Sequence, residues 1–243
     1  MQQTNLLFGK RPAGTIAYLS GAMQLESFGW AYANLLLFSN EYCPPGMYVH
    51  PDHATNSGQI NARNELFSRM QGDWLLQLDS DHDFEPDLAI RLLTLFEQHQ
   101  LDVLCGFYCY KEAPYNPVLF QYAETNEGGE FRGIVDWGGT EPGTRKEDIK
   151  LLPIAAAGAG CLLVRKSVFE RIVKETGKLP FSQPDGYKNN YDDFNFFEHC
   201  RRLGIKCWCA PHVEAAHLRI TGYGMQDNIL TEHSVKFNVE ALA

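Results

Sequence analysis

The residues with the clearest chemical potential are two aspartates separated by one residue, Asp79 and Asp81 in the segment Leu78–Asp83. They follow Trp74–Leu78, an apolar run typical of a buried strand that ends in a turn. Two carboxylates at positions i and i+2 after such a strand can both turn toward one point beyond the edge of a sheet. Mg²⁺ and Mn²⁺ suit oxygen ligands and keep open positions for a phosphate. The spacing therefore predicts a divalent-cation site, against the plainer interpretation of a solvated acidic turn.

Two further segments have compositions suited to holding a phosphate-bearing ligand. Gly58–Glu65 opens a predicted helix and contains Arg63, whose planar guanidinium could bind a diphosphate, although a surface arginine on a helix is the simpler interpretation. Ala155–Cys161 is a run of small residues that includes Gly160 and would let a ligand approach the backbone. Tight packing between strands explains that run equally well.

Candidate acid–base and additional metal-binding residues lie late in the sequence. Asp192 and Asp193 stand at the start of a predicted helix, where one is expected to be a helix cap and the other a general base for a hydroxyl acceptor. His217 is the candidate third metal ligand, with His212 as the alternative. A lone histidine is more often structural, so His217 is a candidate metal ligand only because the two aspartates are present as well.

These side chains need a framework, and the first half of the sequence alternates strand-like and helix-like patterns. Such β-α alternation predicts an α/β fold with a mostly parallel central sheet flanked by helices. Ligands of sheets of this kind sit at the carboxyl ends of the strands, which is where Asp79 and Asp81 follow their strand. Strands are predicted over residues 15–21, 47–49, 74–78 and 101–106, and helices over residues 25–38, over 60–70 and from 85 onward.

The second half is less regular. Residues 111–150 are rich in Gly, Pro, Glu and aromatic residues, which predicts long loops and short irregular strands. Ser167–Glu170 has the pattern of a capping box and predicts a helix that Gly177 ends. Residues 192–203 predict an amphipathic helix, and residues 205–209 alternate as a strand, beyond which His217 is expected. No internal repeat is present, so we expect one domain.

Composition and charge exclude several classes of protein. Of the 243 residues, 44% are hydrophobic and 21% charged, which is enough apolar surface for a core and excludes global disorder. The formal net charge is −9; residues 1–110 hold 5 basic and 12 acidic side chains, and residues 111–243 hold 16 and 18. A basic groove that follows nucleic-acid phosphates is therefore not expected, although a short DNA contact stays open.

Cysteine usage and hydropathy indicate the compartment. The seven cysteines include no CxxC pair, so we expect reduced thiols, most of them packed inside. No apolar run approaches the roughly 18 residues needed to span a bilayer, and no signal-peptide pattern follows Lys10 and Arg11. These features predict a cytoplasmic protein.

The order of the motifs resembles that of the GT-A glycosyltransferases, especially their small, soluble bacterial and phage-type members related to the large inverting family. The resemblance runs from about Thr15 to His217, and the ordered set is more specific than any single motif. One departure is the helix start, where the family usually has Glu-Asp. The matching residues are Ala62–Asn64, Trp74–Asp81, Phe84–Asp87, Gly158–Arg165, Asp192–Phe194 and His217.

The resemblance implies a metal-dependent enzyme that transfers a sugar from a nucleotide-sugar donor, expected to be a UDP-sugar, to a hydroxyl acceptor with inversion. Mn²⁺ or Mg²⁺ would bind Asp81 directly, Asp79 would touch the ribose or a metal-bound water, and His217 would complete the metal shell. Asp193 would deprotonate the acceptor hydroxyl. The departure from the family pattern leaves Asp192 as the alternative base.

The same resemblance implies a Rossmann-like nucleotide-binding region at about residues 15–110, an acceptor-binding and catalytic region at about 111–217 and a tail at 218–243, all within one domain. The turn at Ser20–Gly21 and the strand end at Val49–Asp52 would form the floor under the nucleotide, with Arg63 near the ribose or diphosphate. The residues expected to contact the nucleotide-sugar are Ser20, Gly21, Asp52, Arg63, Asp79, Ser80, Asp81 and Gly160.

Three other functions fit parts of the pattern. A phosphatase with a nucleophilic aspartate would need Thr or Val where Asp83 stands, and its motif lies on the first strand. A sugar-phosphate nucleotidyltransferase would need a glycine-rich basic loop within Ser20–Phe28, which is missing. A non-catalytic sugar-nucleotide-binding module would bind metal without moving a sugar.

The acceptor stays open among a hydroxymethylated pyrimidine in DNA, a polysaccharide and a protein. The lack of a membrane segment argues against a lipid-linked acceptor, and the acidic balance argues against extensive DNA binding. Aromatic residues that could stack on a sugar or a base, or equally belong to the core, are Tyr115, Trp137, Phe181, Tyr187 and Tyr191.

Overall fold

A computed structural model describes residues 10–20, 26–55, 58–125, 128–135, 150–188 and 191–218. The helices are α1 (Glu26–Glu41), α2 (Gln59–Arg69), α3 (Leu88–Gln98), α4 (Lys166–Thr176) and α5 (Asp192–Arg202). The strands are β1 (Arg11–Ser20), β2 (Met47–Thr55), β3 (Trp74–Asp79), β4 (His82–Phe84), β5 (Val103–Phe107), β6 (Leu119–Thr125), β7 (Gly128–Gly133), β8 (Leu152–Ile154), β9 (Ala156–Ala157), β10 (Cys161–Arg165) and β11 (Cys207–His217).

The main sheet has the strand order β2-β1-β3-β10-β5-β11-β4, with β8 beside β11. β1 is parallel to β2 and β3, and β5 is parallel to β11. β10 runs antiparallel between β3 and β5, so β2, β1, β3, β5 and β11 all point the same way. The prediction of an α/β fold with a mostly parallel central sheet is confirmed.

Helices cover both faces of this sheet because its strands are apolar on both sides. On β3, Leu75 packs with α2, α4 and α5 in one buried cluster. Its neighbour Leu76 packs with α1 and α3 in a second buried cluster. Successive side chains of a strand point to opposite faces, so a continuous apolar run such as Trp74–Leu78 supplies both cores at once.

The sheet brings the carboxyl end of β3 next to the end of β11. After β3 the chain turns at Ser80 and Asp81 into the short strand β4, which pairs antiparallel with β11 so that His82 is opposite His217. On the other side of β3, the backbone N–H of Asp79 donates to the carbonyl oxygen of Gly160, just before β10. The motif at residues 79–82 is therefore held between two parts of the chain that are far away in sequence.

A second sheet, in the order β7-β6-β9, occupies part of the segment for which loops and irregular strands were expected. β6 and β7 form an antiparallel hairpin in which Tyr122 pairs with Phe131. The predicted aromatic Trp137 and the predicted floor residue Gly21 lie outside the described residues, as does the expected tail beyond Leu218.

Three local predictions need correction. The capping box at Ser167–Glu170 is wrong, because α4 begins one residue earlier with Arg165 at its N-cap and no capping side chain. Gly177 does end that helix, with φ of 69°. His217 does not lie beyond the last strand but is the final residue of β11. Tyr191 is the N-cap residue of α5 and makes no side-chain cap, so neither Asp192 nor Asp193 is the N-cap, although Asp193 accepts from the backbone N–H of Phe194 in the first turn.

The seven cysteines all lie within the described ranges and are free thiols, and Cys105, Cys161, Cys200, Cys207 and Cys209 are buried. Reduced, mostly internal cysteines were expected and are confirmed.

Within the described parts of the chain, we find no helix whose length and hydropathy would allow it to cross a bilayer.

Candidate functional site

A buried arginine on α2 joins the end of β3 to the start of α5. The Arg63 side chain is only 3% exposed, and its Nη2 donates to Oδ1 of Asp79 at 3.0 Å. Its Nε donates to the carboxylate of Asp192. The remaining nitrogen, Nη1, donates to the carbonyl oxygen of Ala159 at 3.1 Å and to Oε1 of Gln77 at 3.3 Å. We call Arg63, Asp79 and Asp192 the arginine cluster.

This arrangement determines the charge and the contacts of Arg63. The carboxylates of Asp79 and Asp192 raise the pKa of the guanidinium although burial acts in the opposite direction. Its charge is thus neutralised inside the protein, and its donors are bonded to protein acceptors. The guanidinium therefore faces protein groups, and the expected contact between Arg63 and a diphosphate stays a prediction.

Asp193 follows the arginine cluster and has a different environment. Burial, and then the charge of Asp192, raise the pKa of its carboxyl to about 6. The backbone N–H of Phe194 donates to its Oδ1 at 2.7 Å. A carboxylate with a pKa close to the working pH accepts a proton more readily than an ordinary aspartate and is still deprotonated at neutral pH. Asp193 therefore has the properties of a general base, whereas Asp192 is tied to Arg63.

Asp81, His82 and His217 form a second group, which we call the histidine group. Each offers one possible ligand atom, and these atoms all lie within 4.8 Å of one another. The imidazole rings of His82 and His217 stack with their centroids 4.3 Å apart, and Nδ1 of His82 lies 3.3 Å from Oδ1 of Asp81. The sequence analysis identified Asp81 and His217 but missed His82, although it directly follows the Asp79–Asp81 motif.

The histidine group has polar atoms without partners. His82 is completely buried; its Nε2 has no hydrogen-bond partner among the described residues, and its Nδ1 faces only Oδ1 of Asp81, at 3.3 Å and without good hydrogen-bond geometry. Unpaired buried polar atoms are costly and rare in proteins. A carboxylate with two imidazoles is a donor set that suits Mn²⁺ and related divalent metals. The residues present fit such an ion.

The ring orientation of His217 suits a ligand as well. Its Nδ1 lies 2.6 Å from the carbonyl oxygen of Cys109, a geometry that assigns the ring proton to Nδ1 and leaves Nε2 as the acceptor. Burial, and then His82, lower the pKa of His217, which favours the neutral ring. The alternative ligand, His212, lies earlier on β11 and is not a member of the group; its carbonyl oxygen accepts from Arg91.

The remaining oxygen of Asp81 is paired with a lysine. Nζ of Lys111 donates to Oδ2 of Asp81. Although burial acts in the opposite direction, the His82 imidazole and the Lys111 ammonium hold the pKa of the Asp81 carboxyl well below its usual value. Asp81 is therefore a carboxylate at any physiological pH.

Gly160 lies between the two clusters. Its N–H donates to the hydroxyl oxygen of Tyr108 at 3.0 Å, and the aromatic ring of Tyr108 packs edge-on against His82 and His217. A Cβ atom on Gly160 would lie 2.5 Å from Cε1 of His82 and 3.1 Å from Oδ2 of Asp79. The small residue is thus needed to make room for these two side chains, and not only for a ligand as the sequence suggested.

Of the predicted floor residues, Ser20 ends β1, but Asp52 lies inside β2, which continues to Thr55 and does not end at Asp52 as expected. Ser80 is buried in the turn after β3. The Asp52 carboxylate is paired with Arg69 at 2.9 Å, so it supports β2 and α2. Nearby, the rings of Tyr18 and His53 stack at 5.6 Å, an aromatic pair that the sequence analysis did not single out. Nucleotide contacts for these residues stay predictions.

Comparison with known proteins identifies relatives. The family model described as Glycosyl transferase family 2 matches residues 41–173. A crystal structure of GalNAc-T7 with UDP, GalNAc and Mn²⁺ superposes with a TM-score of 0.55 at 8% identity and covers 87% of this chain and 44% of that one. The crystal structure of A197 from STIV is 14% identical, covers 85% of this chain and 86% of that one, and has a TM-score of 0.47. No curated protein matches the sequence.

Proposed function

Because the chain belongs to glycosyl transferase family 2 and is a glycosyltransferase of GT-A fold, we propose that it transfers a sugar from a UDP-sugar to a hydroxyl acceptor, with inversion and with the help of a divalent cation. The observation that carries the proposal is the histidine group. Its three ligand atoms lie within 4.8 Å of one another, and Nε2 of the fully buried His82 has no partner among the described residues.

The metal would be held by Asp81, His82 and His217. Mg²⁺ takes oxygen ligands almost exclusively, whereas imidazole nitrogens suit transition metals, so two histidines favour Mn²⁺ over Mg²⁺. When bound, such a cation offsets negative charge on the oxygens of the departing diphosphate. GalNAc-T7, a structural neighbour, was crystallised with UDP, GalNAc and Mn²⁺, which supports this choice. Asp79 stays paired with Arg63 in this proposal and is not a direct ligand.

Asp193 would act as the base. It takes the proton from the acceptor hydroxyl while the oxygen attacks the anomeric carbon, and the bond from that carbon to the diphosphate oxygen breaks with its electron pair leaving on the diphosphate. A single displacement of this kind inverts the anomeric carbon. Its pKa of about 6 supports Asp193 over Asp192, whose carboxylate is bonded to Arg63.

The nucleotide would lie over the carboxyl ends of β1, β2 and β3, where ligands of parallel sheets bind. The residues predicted to contact the nucleotide belong to these strands or follow them in the sequence: Ser20, Gly21, Asp52 and Ser80. The stacked rings of Tyr18 and His53 add an aromatic surface there.

Thermal unfolding with UDP, GDP, CMP and dTDP, each with and without Mn²⁺, tests the donor site. A ligand that binds only the folded state raises the melting temperature. We expect UDP with Mn²⁺ to stabilise the wild type and the control Asp83→Asn, which removes an exposed charge from the same turn. Asp81→Asn should lose the effect. Equal stabilisation of Asp81→Asn, or none of the wild type, would contradict the proposal.

A further inference from the structure

A cavity of about 370 Å³ opens beside the histidine group, and the functions proposed above leave most of its wall unused. His217 lies at one side of it, and Tyr108, which packs on both imidazoles, forms the adjoining wall. The cavity is also lined by Tyr110, Tyr115 and Glu214. The volume is within the roughly 300–1,000 Å³ of small-molecule sites.

The loop that carries the two outer tyrosines has a defined conformation. The N–H of Tyr110 donates to the carbonyl oxygen of Asn116 at 2.9 Å, and the N–H of Tyr115 donates to that of Glu112 at 2.9 Å. Tyr115 has φ of 58°, a left-handed backbone conformation that is uncommon for a bulky residue. Such strain persists only where the surroundings impose it, and it is frequent at ligand sites.

Both outer tyrosines expose large aromatic surfaces. Tyr110 is 44% exposed and Tyr115 is 60% exposed. Aromatic rings that stay solvent-accessible in a concave wall are typical of binding sites, because the ring offers an apolar face and the hydroxyl a hydrogen bond.

The cavity adjoins the proposed metal site. His217, one of the proposed metal ligands, lies in its wall, so a molecule in the cavity would lie beside the group proposed to act on the diphosphate.

We propose that this cavity binds a neutral pyranose unit of a carbohydrate acceptor, with the sugar ring on Tyr110 and Tyr115 and its hydroxyls hydrogen-bonded to the tyrosine hydroxyls and Glu214. The proposal rests on the transferase function above. The C–H face of a pyranose suits an aromatic ring, and an exposed carboxylate accepts from hydroxyls.

Charge favours a sugar over a base in DNA. Among the described residues that line the cavity there is no lysine or arginine, and Glu214 is acidic. Lys111, on the same loop, is paired with Asp81. Because nucleic-acid binding depends on cations that neutralise phosphates, a strand of DNA would meet repulsion here, whereas a neutral sugar would not.

Saturation-transfer NMR with methyl glycosides of glucose, galactose, mannose and N-acetylglucosamine tests the proposal, alone and with UDP and Mn²⁺. We expect at least one glycoside to bind the wild type and to lose roughly tenfold or more in affinity in Tyr110→Ala and in Tyr115→Ala. Tyr115→Phe keeps the ring and loses only one hydrogen bond, so it should bind more weakly than the wild type but more tightly than Tyr115→Ala. Tyr42→Ala, which removes a tyrosine that is 58% exposed at the end of α1, is the matched control and should bind normally.

Three results would overturn the proposal: no glycoside bound by the wild type, equal binding by the alanine variants, or tyrosine-dependent binding of an oligonucleotide containing 5-hydroxymethylcytosine in place of the glycosides. Thermal stabilisation by UDP with Mn²⁺ is measured on the same samples and should not change in the tyrosine variants. Its absence from the wild type beside tyrosine-dependent glycoside binding would refute the donor site alone. Stabilisation of the wild type by UDP with Mn²⁺, without tyrosine-dependent binding of any glycoside, would refute the acceptor cavity alone.

Discussion

The arginine cluster and the histidine group both contain an aspartate of the motif at residues 79–81, yet their polar atoms are satisfied in opposite ways. In the arginine cluster, Arg63 bonds to carboxylates on both sides and to a backbone carbonyl. In the histidine group, Nε2 of His82 lacks a partner among the described residues, and Nδ1 of His82 faces only Oδ1 of Asp81 at 3.3 Å. The first is complete within the chain, and the second requires something that the chain does not supply.

This difference separates the two carboxylates of the motif into distinct roles. Asp79 lies on the side of Arg63 and fixes the end of β3 against the start of α5. Asp81, two residues later, turns to the ends of β4 and β11, where the histidines are. An aspartate pair of this kind therefore need not act as a pair of metal ligands.

The largest expected effect is on catalysis, at the edge of the arginine cluster. Asp193→Asn keeps the shape of the side chain but removes the base, so turnover should fall by roughly 10²–10⁴-fold while stabilisation by UDP with Mn²⁺ is unchanged. In the wild type, turnover should fall as the pH drops through about 6, because protonated Asp193 cannot accept the proton. Steady-state rates between pH 5 and 8 measure both effects, and normal turnover of the variant would contradict the assignment.

Asp193→Asn should make the folded protein more stable, although it lowers turnover. Because the pKa of Asp193 is raised in the folded state, its stability contribution is present below the unfolded-state pKa and is lost as the pH rises through about 6. At pH 7, Asp193→Asn should therefore raise the free energy of unfolding by about 1–3 kcal/mol. Urea unfolding at pH 7 and pH 4 tests the sign, since the advantage of the variant should shrink at the lower pH.

The next effect tests whether the arginine cluster is structural. Arg63→Met leaves the buried carboxylate of Asp192 and the partly exposed carboxylate of Asp79 without their cation and should lower the free energy of unfolding by about 3–5 kcal/mol. Arg69→Met is the control, because Arg69 is on the same helix and pairs with Asp52 and Glu65 but is 42% exposed; it should cost about 0–1 kcal/mol. Denaturant titration compares the two variants, and similar costs would mean that burial does not distinguish them.

Features that depend on neighbouring residues could be predicted from the sequence, whereas contacts between residues far apart in the sequence could not. The strand that ends at Asp79 and the acidic turn after it are local patterns, and the structure has both where they were expected. The pairing of Arg63 with Asp192 joins residues 129 positions apart, and no spacing rule relates them. Arg63 was therefore expected to face a ligand, and its bonds to protein groups were not predicted.

His82 shows a different limit. Its strand, β4, is three residues long, too short for a periodic signal, and only its pairing with the end of β11 places His82 opposite His217. The sequence did offer one indication, because His82 directly follows Asp81, and a histidine next to a predicted metal ligand is itself a candidate ligand. Recognising it also required knowing that β11 continues as far as His217.

A stability effect of similar size to that of Asp193→Asn gives the most direct test of the histidine group. His82→Phe replaces a fully buried imidazole by an apolar ring and removes the unpaired Nε2 and the poorly paired Nδ1, so the protein without metal should become more stable by about 1–3 kcal/mol. The same change removes a proposed ligand, so stabilisation by Mn²⁺ should disappear. His99→Phe, at the exposed end of α3, is the control and should change neither quantity. The two measurements are thermal unfolding with EDTA and with Mn²⁺. A loss of stability in EDTA would mean that His82 has a partner within the protein, and the contrast with the arginine cluster would then fail.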